Sequence, residues 1–113
     1  MAVKNTVKVW ATSTGKQSFE TDITTPSDPT GTTPKFGLTT VDDLDGPAAW
    51  TAGSWSGAYN ATTEKTTAVT PTIGATGATP SLTVASGNRY WIWAQVTLGG
   101  EVWTEPVGEI HVP

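Results

Sequence analysis

From Arg89 to Val96 apolar and polar or bulky positions alternate strictly. Tyr90, Ile92, Ala94 and Val96 fall on one face and Trp91, Trp93 and Gln95 on the other. That period of two predicts a long strand lying between core and surface. Gly99-Gly100 follows, flanked on both sides by alternating apolar runs. Two glycines in that setting predict a two-residue hairpin whose turn residues take positive φ. Glu101 to Thr104 then pairs back, and Pro106 and Gly108 interrupt the returning strand at a bulge or a sheet-edge crossing. Ile110 and Val112 resume the alternation.

Upstream the same pattern recurs in shorter pieces. Val3, Val7 and Val9 alternate with Lys8 and Trp10 in an N-terminal strand candidate. Phe19 to Thr25 reads as a second extended piece, and Lys35 to Thr39 as a third with Phe36 and Leu38 inward. Ala48 to Tyr59 reads as one strand broken by Gly53, Glu64 to Ile73 as a weakly alternating strand, and Ser81 to Val84 as a short one. Turn chemistry separates them: Thr14-Gly15-Lys16, the two-proline cluster from Pro26 to Gly31, the Asp-rich loop from Val41 to Pro47, and Gly74 to Ala78. No segment carries a helical apolar stripe longer than two turns.

Leu82, the Gly87 corner and Tyr90 at the head of the long strand have the arrangement of a tyrosine corner, in which the phenol hydroxyl bonds back to upstream backbone. Together with seven to nine short strands at regular spacing, it predicts an all-β fold: a single Ig-like or fibronectin-III-like β-sandwich over residues 17–113, with residues 1–16 as an N-terminal strand or arm. Such a fold is a scaffold, and its function is sought on loops and faces.

Composition narrows the partners. At 113 residues the chain can bury about two-thirds of its unfolded surface, enough for one core. It has no cysteine, so disulfides and thiolate metal sites are excluded. The six Lys and Arg form no cluster and the net charge is −4, which argues against nucleic acid as a partner. Only 14% of residues are charged, and about a fifth are Thr, which favours strands and leaves solubility to hydroxyl groups. No secretory leader and no apolar run of the roughly 20 residues a membrane span needs is present. The expectation is a free-standing chain made in a microbial host's cytoplasm and inserted in no membrane.

Candidate chemistry is sparse. His111 is the sole histidine and has no partner for a triad or a zinc site. Asp42, Asp43, Asp45 and Gly46 faintly resemble a calcium loop but lack its alternating ligands and distal Glu, and they are equally plain turn formers. Glu101, Glu105 and Glu109 could pair as hydrolytic carboxylates, but a small sandwich offers no cleft between them, and charges at a sheet edge discourage unwanted pairing. Asn60-Ala61-Thr62 fits a glycosylation sequon and equally a turn. No activated nucleophile or phosphate-cradling loop is present, so neither an enzyme nor a cofactor is expected.

The six tryptophans are the stronger signal. Trp50, Trp55 and Trp93 have candidate packing roles. Trp91 and Trp93 share the face opposite Tyr90 and Ile92, and Trp103, just across the hairpin, is expected to join them by cross-strand pairing. An outward patch of that size implies a covering partner: another protein, a second copy or a sugar ring. The interface candidates are therefore Trp91, Trp93 and Trp103, with Val7, Val9 and Trp10 of the N-terminal segment, which could add a strand to a neighbour's sheet edge or serve as the first strand of its own domain. Tyr90, Gly87, Leu82, Gly99 and Gly100 are expected to be structural.

Several pieces together resemble a group of small Ig-like virion proteins of actinobacterial tailed phages: Asp28-Pro29-Thr30-Gly31, Ala49-Trp50, Ser54-Trp55, Pro71-Thr72-Ile73-Gly74, Gly87 to Tyr90 leading into Trp93-Ala94-Gln95-Val96, and Glu105-Pro106-Val107-Gly108-Glu109-Ile110. The resemblance runs over most of the chain on motifs that mark turns and strands. It implies a non-enzymatic capsid decoration protein that binds and stabilises the major capsid protein shell as a homo-oligomer, with a trimer at local threefold positions as one arrangement. The tryptophan density departs from a simple outer knob and fits only if the Trp face is an interface. Two alternatives stay open: a carbohydrate-binding or host-adhesion module using exposed Trp, and a tail or neck Ig-like domain.

Overall fold

The computed structural model describes residues 6–8, 15–43 and 45–113. Their strand segments, in chain order, are β1 (Thr6–Lys8), β2 (Lys16–Gln17), β3 (Glu20–Thr24), β4 (Lys35–Thr40), β5 (Thr51–Ala52), β6 (Ser54–Trp55), β7 (Lys65–Val69), β8 (Ile73–Gly74), β9 (Leu82–Thr83), β10 (Arg89–Leu98) and β11 (Glu101–His111). A single 3-10 turn spans Thr76–Ala78, and no α-helix occurs among the described residues.

Two layers face each other. One is a five-stranded sheet in the order β1-β11-β10-β4-β5. All its pairings are antiparallel except β1, which runs parallel to the end of β11 with Val7 opposite Ile110. The other layer is built from two short ladders, β3-β7-β6 and β2-β8-β9. These are nearly one. Glu20 pairs with Val69 and Gln17 with Ile73, a slip of one residue, and across the slip the Thr70 amide donates to the Phe19 carbonyl at 3.0 Å. The break falls beside Pro71, which has no N–H to contribute to a ladder. With β2 and β3 taken as one interrupted strand, and β7 and β8 as another, the described chain is an all-β sandwich of nine strands.

The alternation in β10 places Ile92, Ala94 and Val96 inward. They meet Phe36 from β4, Ile23 and Ala68 from the opposite layer, Ile73, Leu82 and Val84 from the far end, and Val107, Ile110 and Val112 from the C-terminal strand. Phe36, Ile73, Ile92 and Ile110 are fully buried. Each such side chain contributes roughly 1.5–3 kcal/mol by leaving water.

Two departures from the sequence expectation have local causes. Residues 48–59 do not form one broken strand: β5 pairs with β4 in the first layer, whereas β6 pairs with β7 in the second. The chain changes layers at Gly53, where an added Cβ would lie 2.5 Å from both the Phe36 ring and the Val69 carbonyl, so only glycine fits the crossing. The 74–78 turn is a 3-10 turn closed by the Ala78 amide on the Ala75 carbonyl at 3.0 Å. The expected interruption in the last strand is a bulge: Ile92 faces Gly108 and Trp93 faces Pro106, leaving Val107 as the extra residue.

Candidate docking surface

The corner that begins β10 is closed by the Ala85 amide, which donates to the Tyr90 hydroxyl at 3.0 Å. Gly87 takes φ +83° in that corner, and its amide donates to the Val112 carbonyl at 2.7 Å. Leu82 is buried just upstream. At the other end of β10, Leu98 pairs with Glu101 across Gly99 (φ +54°) and Gly100 (φ +89°), the backbone of a type I′ hairpin. Long β10 is therefore held at both ends by tight turns, which fixes which residues face which way.

On the outer face of β10, Trp91 and Trp93 are partly buried. The Trp91 indole N–H donates to the Val41 carbonyl at 3.1 Å and that of Trp93 to the Thr39 hydroxyl at 2.9 Å. The loop after β4 folds back over this face. Pro47 and Ala49 lie so close to Gly37 that a Cβ there would meet them at 2.5–2.8 Å. Arg89 and Glu109 flank Trp91 with a 3.6 Å ion pair. Trp55 also donates its N–H inward, to the Thr32 carbonyl at 2.6 Å. These three indoles are thus tied to their own domain by their polar edges.

Trp103 does not join them. It pairs with Val96, and opposed residues in an antiparallel ladder share a face. Since Val96 points inward, so does Trp103, away from Trp91 and Trp93. The expectation of a three-tryptophan outer patch is corrected by this register. The Gly99-Gly100 turn could have revealed it from the sequence: a two-residue loop sets 98 against 101, 97 against 102 and 96 against 103.

Although on the inward face, Trp103 remains 43% exposed. The β4 ladder ends at Gln95–Lys35, while the β10–β11 ladder continues to Leu98–Glu101, so the hairpin overhangs its sheet. On the other layer β3 ends at Thr24. Trp103 therefore hangs over the rim of the sandwich, and Val102, on the opposite face of β11, is 60% exposed. A bond from the Thr32 hydroxyl to the Thr97 carbonyl at 3.2 Å ties the overhang laterally. Beneath Trp103 a small open cleft of about 40 Å³ is lined by Ile23, Thr24, Thr25, Ala94, Val96, Trp103, Thr104 and Glu105. Glu105 accepts from the Thr24 amide at 3.5 Å. Val102 and this cleft escape a residue-by-residue reading, because they follow from where the neighbouring strands stop.

In the N-terminal segment, Val7 is placed in β1 with its backbone opposite Ile110. Val9 and Trp10 lie outside the described residues. His111 pairs in the ladder with Arg89 and Lys8. Asp43 accepts from the Asp45 amide at 2.9 Å, the side-chain-to-backbone bond of an Asx turn. Asn60 accepts from the amides of Thr62 and Thr63 at 2.9 and 3.2 Å, capping a tight turn. Among the described residues no group of three or more His, Asp or Glu is placed to hold a metal ion, and no helix is long and apolar enough to cross a membrane.

The strand order and the facing layers make the described residues an all-β sandwich, and the Tyr90 corner is a feature that Ig-like sandwiches also carry. Comparison with protein-family models, with curated proteins and with solved structures finds no match to this chain.

Proposed function

We propose that the chain is a non-enzymatic structural protein of a phage virion, a capsid decoration protein that binds the major capsid protein shell. The observation that carries this reading is the overhanging β10–β11 hairpin, which leaves Val102 and Trp103 partly exposed on an otherwise well-closed sandwich. Large exposed apolar side chains, tryptophan above all, are the usual anchors of protein interfaces. The turn and strand motifs that resemble those of small Ig-like phage virion proteins direct the reading to a capsid. Decoration of this kind acts by mass action: binding only the assembled shell stabilises it, and many copies act together.

A flat sugar-binding platform is less favoured by the geometry. Trp91 and Trp93 are partly buried and donate their N–H groups inward, and Trp103 faces the other way. The test is imaging of particles from hosts that make or lack this protein. The reading expects added density on the shell, and less resistance to heat or osmotic shock in the particles without it. Density confined to the tail or neck, or particles identical in both respects, would reject it.

A further inference from the structure

We propose that the cleft under Trp103 is a socket for a lysine or arginine side chain presented by the partner protein. The proposal rests on the docking role above and specifies the chemistry of what docks. The cleft's floor is apolar and buried, with Ile23, Ala94 and Val96 each no more than 3% exposed. Its rim carries one indole, one carboxylate and the hydroxyl-bearing residues Thr24 and Thr104, with buried Thr25 behind them. An apolar floor beneath an aromatic and anionic rim suits a cation on a long hydrocarbon stem. The stem lies along the floor while the charge is held by the ring face and the carboxylate.

Size and charge select the same occupant. A cleft of about 40 Å³ accepts the end of one side chain and is far below the roughly 300 Å³ at which small-molecule pockets begin. Among the described residues no Lys or Arg lines it. The ion pair among the described residues is Arg89–Glu109, which leaves Glu101 on the overhang and Glu105 at its base without a cationic partner among those residues. The chain as a whole carries −4, so a basic partner is drawn to it. The same carboxylates disfavour a second copy. Antiparallel edge pairing of two β11 strands about Trp103 would set Glu101 against Glu105, and like charges placed opposite each other destabilise a ladder.

The experiment titrates isotope-labelled protein with a short Thr/Val peptide bearing one central lysine, and with the same peptide bearing glutamate, reading the Trp103 indole N–H and the Thr24, Thr104 and Glu105 amides by NMR. Saturable shifts confined to those signals are expected with the lysine peptide alone. Glu105→Gln should weaken binding by about three- to five-fold, the upper part of the range of a solvent-exposed ion pair, and added salt should weaken the wild type. The proposal is overturned if the lysine peptide leaves these signals unmoved, if the glutamate peptide matches it, or if Glu105→Gln binds as the wild type does. Concentration-dependent shifts of the same signals without peptide would make a second copy the occupant and also overturn it. A soluble oligosaccharide that moves the Trp103 indole further than the lysine peptide would do the same. Capsid binding measured in parallel separates the two proposals. Capsid binding that is lost in Trp103→Ala while the wild type ignores the lysine peptide rejects the socket and keeps the docking role. Lysine-peptide binding by a protein that ignores capsids does the reverse.

Discussion

The backbone amide of Ala85 donates to the hydroxyl of Tyr90, five residues later, at 3.0 Å. Through this bond the start of β10 is fixed to the corner before it, and the C-terminal residues are drawn in as well: the Ser86 hydroxyl donates to the Pro113 carbonyl at 2.6 Å. Tyr90→Phe removes the acceptor while keeping the ring. It should lower unfolding free energy by about 1 kcal/mol without changing the far-UV spectrum. Urea denaturation checks this, and an unchanged midpoint would contradict a structural role for the corner.

The Gly99-Gly100 turn sets the register that sends Trp103 inward. Both residues have positive φ, which asparagine tolerates and β-branched residues do not. Gly99→Asn should leave stability within about 0.5 kcal/mol of wild type, while Gly100→Val should lower it by about 1–2 kcal/mol. Thermal and urea unfolding of the two variants compares them directly. Equal stabilities would mean that the turn is not the type I′ hairpin described.

The tryptophans should divide into two behaviours. Trp93→Phe abolishes the bond to Thr39 and should destabilise the domain by about 1–2 kcal/mol. Trp103→Ala removes a ring that hangs over the rim and should change stability by no more than about 0.5 kcal/mol. If Trp103→Ala proved the more destabilising, the ring would be part of the core and not an interface.

Acid should loosen the 26–31 turn through Asp28. Its carboxylate accepts from the Thr30 hydroxyl at 2.6 Å and the Thr30 amide at 2.9 Å. The hydroxyl bond first, and the amide bond with it, hold its pKa below the ordinary value. A carboxylate depressed in the folded state contributes stability that is present above the unfolded-state pKa and is lost as pH falls through the folded one. An NMR titration should show Asp28 ionising below the ordinary value of an aspartate, and Asp28→Asn should remove its part of the acid sensitivity. An Asp28 titration at or above the ordinary range would contradict the turn geometry.

Much of the fold is legible in the chain because local chemistry and layer position agree there. Tyr90, Gly87 and the alternation from Ile92 to Val96 predict the corner and the central strand, and Gly99-Gly100 predicts the hairpin. The crossing at Gly53 was hidden because its cause is steric: the Phe36 ring and the Val69 carbonyl meet there only in the folded state. The candidate site was half legible. Trp103 was recognisable as an unusual residue, but its direction required counting pairs back from the turn, and its exposure depends on β3 stopping at Thr24 and β4 pairing no further than Lys35. The fate of Trp91 and Trp93 depended on Val41 and Thr39 accepting their N–H groups and on Pro47 and Ala49 lying against Gly37 on the same face, which no periodicity encodes.

The overhanging indole is the point on which the functional account turns. Its most direct test is co-sedimentation of wild-type and Trp103→Ala protein with capsids assembled without it. The account predicts saturable binding by the wild type and at least about a thirty-fold loss of affinity for Trp103→Ala, as removal of a central interface tryptophan produces. Equal affinity of the two proteins for the shell would contradict it.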